Sequence, residues 1–159
     1  MFSYYPLYYG GRSDTHNQQI NYQNSLFLIN QSVQGEKNDE LFYDELIRMA
    51  PTVDQQNIII SIRDDERKHN VMFRDIYRSL TGREVTGISN EEFIKPSSYL
   101  EGIQKALFGE LSAVEKYREI WKGLPVGPYR DALFEIILDE LKHSSKYNYL
   151  FTLNSVLSK

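Results

Sequence analysis

The stretch Asp65-Glu66-Arg67-Lys68-His69 returns 74 positions later as Asp139-Glu140-Leu141-Lys142-His143. On a helix, residues three apart share a face. Glu66 and His69 therefore point one way, and Glu140 and His143 do the same. That face is otherwise apolar. Helical steps back from Glu66 reach Ile62 and Ile59, and steps forward reach Phe73 and Ile76; around Glu140 they reach Ile136, Leu133, Tyr147 and Leu150. A carboxylate and an imidazole in the middle of a core stripe need compensation, because an unpaired buried charge is too costly for a fold to keep.

The copy extends well beyond these five residues. Subtracting 74 pairs Gly109-Glu110 with Gly35-Glu36, Tyr117 with Tyr43, Glu119 with Glu45 and Pro125 with Pro51, with no gap between Gly35 and His69. A unit of this size is too long for a solenoid repeat and right for a helical hairpin. One hairpin alone would expose its polar stripe to water. Two hairpins can face each other.

Stop and start signals fill in the chain. The first helix opens near Thr15 or near Asn24 and runs to Met49, where Ala50-Pro51 ends it. Thr52-x-x-Gln55 is a capping box for a second helix, which runs to Leu80 with Gly82 as its left-handed stop. Residues 83–97 have no strong period, which is long for a hairpin turn and suits a crossover along the length of a bundle. Ser98-x-x-Glu101 opens a third helix ending near Lys122-Gly123, and Gly127-Pro128 starts a fourth that runs towards Asn154. The expected fold is all-α: a four-helix bundle of two helical hairpins joined by one long crossover. Residues 1–23 read as a Tyr-rich amino-terminal tail and residues 24–159 as the bundle. The tail is either a segment lying on the surface or an adhesive one, since Tyr offers large amphipathic contact area. His16 is expected in solvent.

With no Cys among 159 residues, disulfides and thiolate metal sites are excluded, including a rubredoxin-type iron centre. A net charge of −4 argues against nucleic acid as a partner. No apolar run approaches the ~20 residues that span a bilayer, and the start of the chain lacks a signal peptide's pattern. The expectation is a cytoplasmic protein with no membrane association; the tail leaves room for attachment to a spore or cell-surface coat.

The inward faces carry Glu36, Glu66, His69, Glu110, Glu140 and His143. Four carboxylates balance two divalent cations, and two neutral imidazoles complete the donor set. Oxygen and imidazole donors suit iron or manganese. Without metal, several like charges would crowd a low-dielectric site and some would have to take up protons. The residues one turn beyond the first Glu differ between the halves. Asp39 and Glu40 follow Glu36, whereas Ala113 and Val114 follow Glu110. Asp39 is thus a candidate extra ligand on one side, or simply a solvated acid.

This set resembles the ferritin-like di-metal carboxylate proteins, whose ligand pattern is a Glu from each of two helices and a Glu-x-x-His from each of the other two. The Gly-Glu-x6-Tyr and Asp-Glu-x-Lys-His elements look most like small rubrerythrin-like bundles, over residues 24–154. The resemblance implies two divalent ions, iron preferred and manganese accommodated. It implies an oxidoreductase that reduces peroxide or oxygen, or oxidises ferrous iron. The alternative is a metal-stabilised structural or coat-type protein using its Tyr-rich tail for contacts. Asp65 and Asp139 would accept from the ring N–H of His143 and His69 on the opposite hairpin. Tyr43 and Tyr117 would either bond to ligand carboxylates or serve as core aromatics. Lys68 and Lys142 are assigned to the solvated face, and Trp121, whose counterpart is Ile47, to the core. Three departures narrow the resemblance. The Cys-rich electron-delivering domain of full-length rubrerythrins is missing, so an external electron donor is needed. Ala113 stands where their third helix has another Glu. Arg67 stands where bacterioferritins have a haem-binding Met, so no haem is expected. A homodimer is compatible with all of this.

Overall fold

The computed structural model describes residues 13–87 and 92–157, apart from the side chains of residues 13–15, 36 and 156–157. The described residues form five helices and no strand: α1 (Ser13–Gln34), α2 (Glu36–Met49), α3 (Val53–Thr81), α4 (Tyr99–Gly123) and α5 (Pro128–Leu157). None is long and apolar enough to cross a membrane.

Local chemistry accounts for most boundaries. Ala50 is extended at φ −62°, ψ 129°, as Pro51 requires of its predecessor. Thr52 Oγ1 accepts from the Gln55 amide at 3.3 Å and caps α3. The Gln55 side chain does not complete the box; its Oε1 accepts from Asn154 Nδ2 at 3.0 Å, which ties the start of α3 to the end of α5. Gly82, at φ 68°, closes α3 in the left-handed conformation. Ser98 Oγ accepts from the Glu101 amide at 3.2 Å, while the Glu101 carboxylate reaches back to Ser97 Oγ at 2.9 Å.

One expectation needs correction, and one open choice is decided. The first helical stretch is two helices, because Gly35 interrupts it. Both Asn38 N and Asp39 N bond to the Gly35 carbonyl, at 2.9 and 3.1 Å, so a new helix begins there. The Asp39 carboxylate folds back over the glycine, close enough that an added Cβ would meet Oδ2 at 3.3 Å. An acid near the start of α2 is favoured by the helix dipole. Gly109, in the same place of the other half, sits inside an unbroken α4, and Ala113 replaces the acid there. The other finding concerns the start of the first helix. Residues 13–23 are helical, which decides for the start near Thr15 over the one near Asn24. Contacts distant in sequence hold α1 in place: Tyr22 Oη donates to the Leu80 carbonyl at 3.5 Å, and Ser25 Oγ to the Ile120 carbonyl at 2.9 Å. Residues 1–12 lie outside the described residues.

α4 packs along α5; α1 and α2 each pack against α3 and α4, and α3 packs against α5. The eight apolar residues flanking the two Glu-x-x-His motifs are all buried. They divide between two clusters. Ile59 and Ile62 join Tyr147 and Leu150 in one, and Phe73 and Ile76 join Leu133 and Ile136 in the other. Residues before one motif thus pack with residues after the other, so α3 and α5 are antiparallel and the polar band lies between two apolar layers. Each such side chain contributes about 1.5–3 kcal/mol when fully buried. Described residues of the connection between α3 and α4 touch the end of α1 and α2: Gln34 Nε2 donates to the Thr86 carbonyl at 2.9 Å, and Lys95 Nζ meets Glu45 Oε1 at 2.9 Å.

α1 and α4 approach closely at Gly123, where an added Cβ would stand 2.3 Å from the Asn21 carbonyl oxygen. Gly123→Ala should therefore cost about 1–3 kcal/mol in urea unfolding. Gly109→Ala, with no atom within 4 Å of the new methyl, should be neutral or gain up to about 1 kcal/mol from helix propensity. Equal effects would contradict the close α1–α4 packing.

Candidate metal centre

α3 and α5 bring their motifs together in the polar band. His69 is 3 % exposed, His143 0 %, Glu110 6 % and Glu140 1 %, while the Glu66 side chain is about a quarter exposed. The two imidazole rings stack with centroids 5.8 Å apart. Each ring turns Nε2 outward to an aspartate of the opposite motif: His69 Nε2 to Asp139 Oδ2 at 3.2 Å, and His143 Nε2 to Asp65 Oδ2 at 3.3 Å. Each turns Nδ1 inward. His143 Nδ1 stands 3.0 Å from Glu66 Oε1 and 3.8 Å from Glu110 Oε2. His69 Nδ1 stands 3.1 Å from Glu140 Oε1 and 3.4 Å from Glu66 Oε1. Donor atoms of Glu66, Glu110, Glu140 and His143 all lie within 4.8 Å of one another.

These inward atoms lie within ion-pair distance of one another but are not aligned for hydrogen bonds. Glu66 Oε1, Glu140 Oε1, His69 Nδ1 and His143 Nδ1 are buried and make no hydrogen bond. Each orphan of this kind costs about 1–3 kcal/mol. Four in one spot, on acids and imidazoles whose lone pairs converge, make a donor set that fits divalent cations. An aspartate beside Nε2 orients each ring so that Nδ1 is directed inward.

Protons are held where cations would sit. Burial, aided by the hydrogen bond with Glu110 and the neighbouring negative charges, pushes Glu140 up to about 9. Burial also raises Glu110, to about 7. Burial works against a charge on His69, yet the Glu140 and Glu66 carboxylates outweigh it and lift the ring to about 10. Glu66 is also penalised by burial, but His143 and His69 hold it below the usual range. Asp65 and Asp139 meet a burial penalty too. Lys68, His143 and Lys142 bring Asp65 well below the ordinary range, and Lys142 and His69 lower Asp139.

A cavity of about 430 Å³ leads from the surface to Glu66, Glu110 and Glu140. Asp39 lines it, is itself exposed, and is not among the four convergent groups. Glu40 is committed elsewhere, in a two-bond ion pair with Arg67 at 2.6 Å. Glu36 opens α2, but its side chain lies outside the described residues. Tyr43 and Tyr117 line the cavity, and among the described residues neither hydroxyl is hydrogen-bonded to a site carboxylate. Tyr117 packs against Phe73 with ring centroids 4.9 Å apart, as a core aromatic. Lys68 and Lys142 are exposed, but they are not merely solvated. Lys68 meets Asp65 at 3.0 Å, and Lys142 bridges Asp65, at 3.2 Å, and Asp139. Trp121 is half-buried under the Arg130 guanidinium, 3.7 Å from its ring centroid.

Two residues near the cluster escaped the sequence reading. Lys116 lines the cavity over the Tyr117 ring, and burial lowers the pKa of its ammonium. The only sequence signal for it is its mismatch with Phe42, its counterpart in the other half. Tyr147 was read as core and is fully buried, but its hydroxyl is also without a hydrogen bond. Its counterpart is Phe73, so the added phenol is again visible only as a mismatch between halves. Comparison of the chain with family models, with curated proteins and with solved structures yields no match.

The site predicts an inverted pH profile for the metal-free protein. Glu110 and Glu140 hold protons in the fold that the unfolded chain releases near 4.5, so stability falls as pH rises through about 7 and 9. The His69 contribution is complete below 6.5 and is lost as pH rises through about 10, the same direction. Asp65 and Asp139 oppose this only below 3.8. Thermal melts in chelator should thus peak near pH 5 and decline towards pH 9, by up to about 1.4 kcal/mol per pH unit for each proton. Divalent ions replace those protons, so their stabilisation should grow with pH. A flat profile in chelator would contradict the assignment.

Proposed function

We propose that the chain is a ferritin-like four-helix bundle of the rubrerythrin type. In this reading its central cluster binds two divalent ions, iron preferred, and the protein is an oxidoreductase that reduces peroxide or oxygen, or oxidises ferrous iron. α1 and α2 count as one rod, interrupted at Gly35, and with α3, α4 and α5 they make four. The observation that carries the proposal is the set of four buried, unbonded donor atoms on Glu66, Glu140, His69 and His143. Charge supports the count of two: Glu66, Glu110 and Glu140, with Glu36 from the repeat, offset two doubly positive ions.

Bound iron would supply the one-electron chemistry that the side chains of this chain do not offer. The chain's own residues do the rest. Asp65 and Asp139 orient the imidazoles so that Nδ1 faces the cluster, where a cation would replace the proton that His69 holds. Glu110 and Glu140 keep the cluster close to neutral by holding protons, which leave as cations arrive. The cavity gives small oxidants a route to the carboxylates, and its apolar wall at Ala106 and Ala113 leaves one side clear of further ligands. Electrons come from an external donor.

Anaerobic loading with ferrous iron, elemental analysis and optical titration with peroxide test this reading. About two ions per chain and stoichiometric oxidation by peroxide are expected. A plateau at one ion or fewer contradicts the paired site. Two ions without peroxide or oxygen consumption would leave a metal-stabilised structural protein instead. Metal should also raise the melting temperature, by the equivalent of about 3–4 kcal/mol at a few hundred times Kd, and Glu66→Ala should remove most of that gain.

A further inference from the structure

Five large apolar side chains stand exposed on the outside of the α4–α5 pair. They are Phe108 (58 %) and Leu111 (40 %) on α4, and Phe134 (49 %), Leu138 (49 %) and Leu141 (43 %) on α5. Leu111 follows Glu110 and Leu141 follows Glu140, so each stands about 100° around its helix from an inward carboxylate. Helical spacing places Phe108 beside Leu111, and Phe134 and Leu138 beside Leu141. Phe134 also meets Trp121 of α4, with ring centroids 6.4 Å apart, which joins the two helices across this face.

The internal repeat shows that the fold does not need apolar residues here. The positions 74 earlier hold Gln34, Lys37, Ile60, Asp64 and Arg67, four of them polar. Gln34 bonds to the Thr86 carbonyl, Asp64 accepts from Arg63 and Arg67 at 3.2 and 3.4 Å, and Arg67 pairs with Glu40. One half therefore closes this surface with hydrogen bonds and ion pairs. The other leaves it oily.

We infer that the outer α4–α5 face is the surface on which a second copy of the chain docks, as a two-fold dimer in which each copy contributes the same patch. The exposed parts of the five side chains amount to roughly 400–500 Å², the size at which a patch marks an interaction site. Two copies face to face would hide about twice that, which with a modest rim reaches the ~1,200 Å² at the lower edge of stable interfaces. Polar groups on this face already have partners within the chain: Ser145 Oγ donates to the Leu141 carbonyl at 2.9 Å, and Arg118 pairs with Glu115 at 3.1 Å. The amino-terminal segment is a poorer occupant. Asn21 lies against Gly123, so Ser13 stands about 12 Å beyond the end of α4, and Leu141 lies about 20 Å along α5 from Pro128. Twelve residues span about 40 Å at full stretch, so residues 1–12 would have to double back and run straight to reach Leu141. A second copy meets all five side chains at once.

Sedimentation of the full chain across the micromolar range tests this. The wild type should be a dimer. Phe108→Gln with Leu138→Asp installs the residues that the first half uses and should weaken association at least about tenfold, with helical circular dichroism unchanged. Hydroxyl-radical footprinting of the wild type gives a reading that needs no variant: labelling of Phe108 and Phe134 should fall as concentration rises. A wild type monomeric throughout, a dimer that survives the double substitution, or footprints independent of concentration would each overturn the inference. So would labelling of Phe108 that rises only when residues 1–12 are removed, which would make that segment the occupant.

Discussion

Acids and imidazoles placed between two apolar layers have to be neutralised, and the rest of the structure is arranged around that requirement. Glu66, Glu110, Glu140, His69 and His143 sit where Ile62 and Phe73 continue the same stripe on one helix, and Ile136 and Tyr147 on another. In the metal-free chain the requirement is met by protons. Glu140 and Glu110 are pushed up by burial, and His69 is raised by two carboxylates against the burial penalty. That solution leaves four donor atoms without hydrogen bonds. A pair of doubly positive ions would satisfy the same atoms, whereas apolar replacements of all the acids and imidazoles would give a more conventional core. Polar groups held here at a cost to stability are best explained by what they bind.

The duplication works as an internal comparison. Where both halves agree, the shared feature belongs to the band: a Glu-x-x-His, the preceding Asp, and an Asp–His contact reaching to the other hairpin. Where they differ, the difference has a local cause and a local consequence. Asp39 against Ala113 accompanies the break at Gly35 and the unbroken helix at Gly109. Lys116 against Phe42 puts an ammonium on the cavity wall. Arg67 against Leu141, and Asp64 against Leu138, change an ion-paired face into an apolar one.

Much of this was legible in the sequence because it depends on short-range rules. Pro51, Thr52, Gly82, Ser98 and Pro128 mark helix ends through backbone geometry and capping, and the 3.6-residue period identifies the eight buried residues around the motifs. What stayed hidden depends on contacts distant in sequence. The sequence left the start of α1 open between Thr15 and Asn24, and the contacts of Tyr22 and Ser25 with carbonyls on α3 and α4, which no local pattern announces, accompany the earlier start. The break at Gly35 was hidden because the same glycine is tolerated at 109; the difference lies in how Asp39 folds back. Lys142 was read as solvated because its exposure was legible and its bridge between Asp65 and Asp139 was not. Tyr43 and Tyr117 share spacing with the ligands, but spacing does not report whether a hydroxyl reaches a carboxylate.

The most direct measurement is anomalous diffraction at the iron edge from crystals grown with ferrous iron under anaerobic conditions. Two peaks per chain are predicted inside the polar band, within bonding distance of Glu66, Glu110 and Glu140 oxygens and of Nδ1 of His69 and His143. A band without anomalous density, with iron only at surface carboxylates such as Asp39 or absent altogether, would contradict the account.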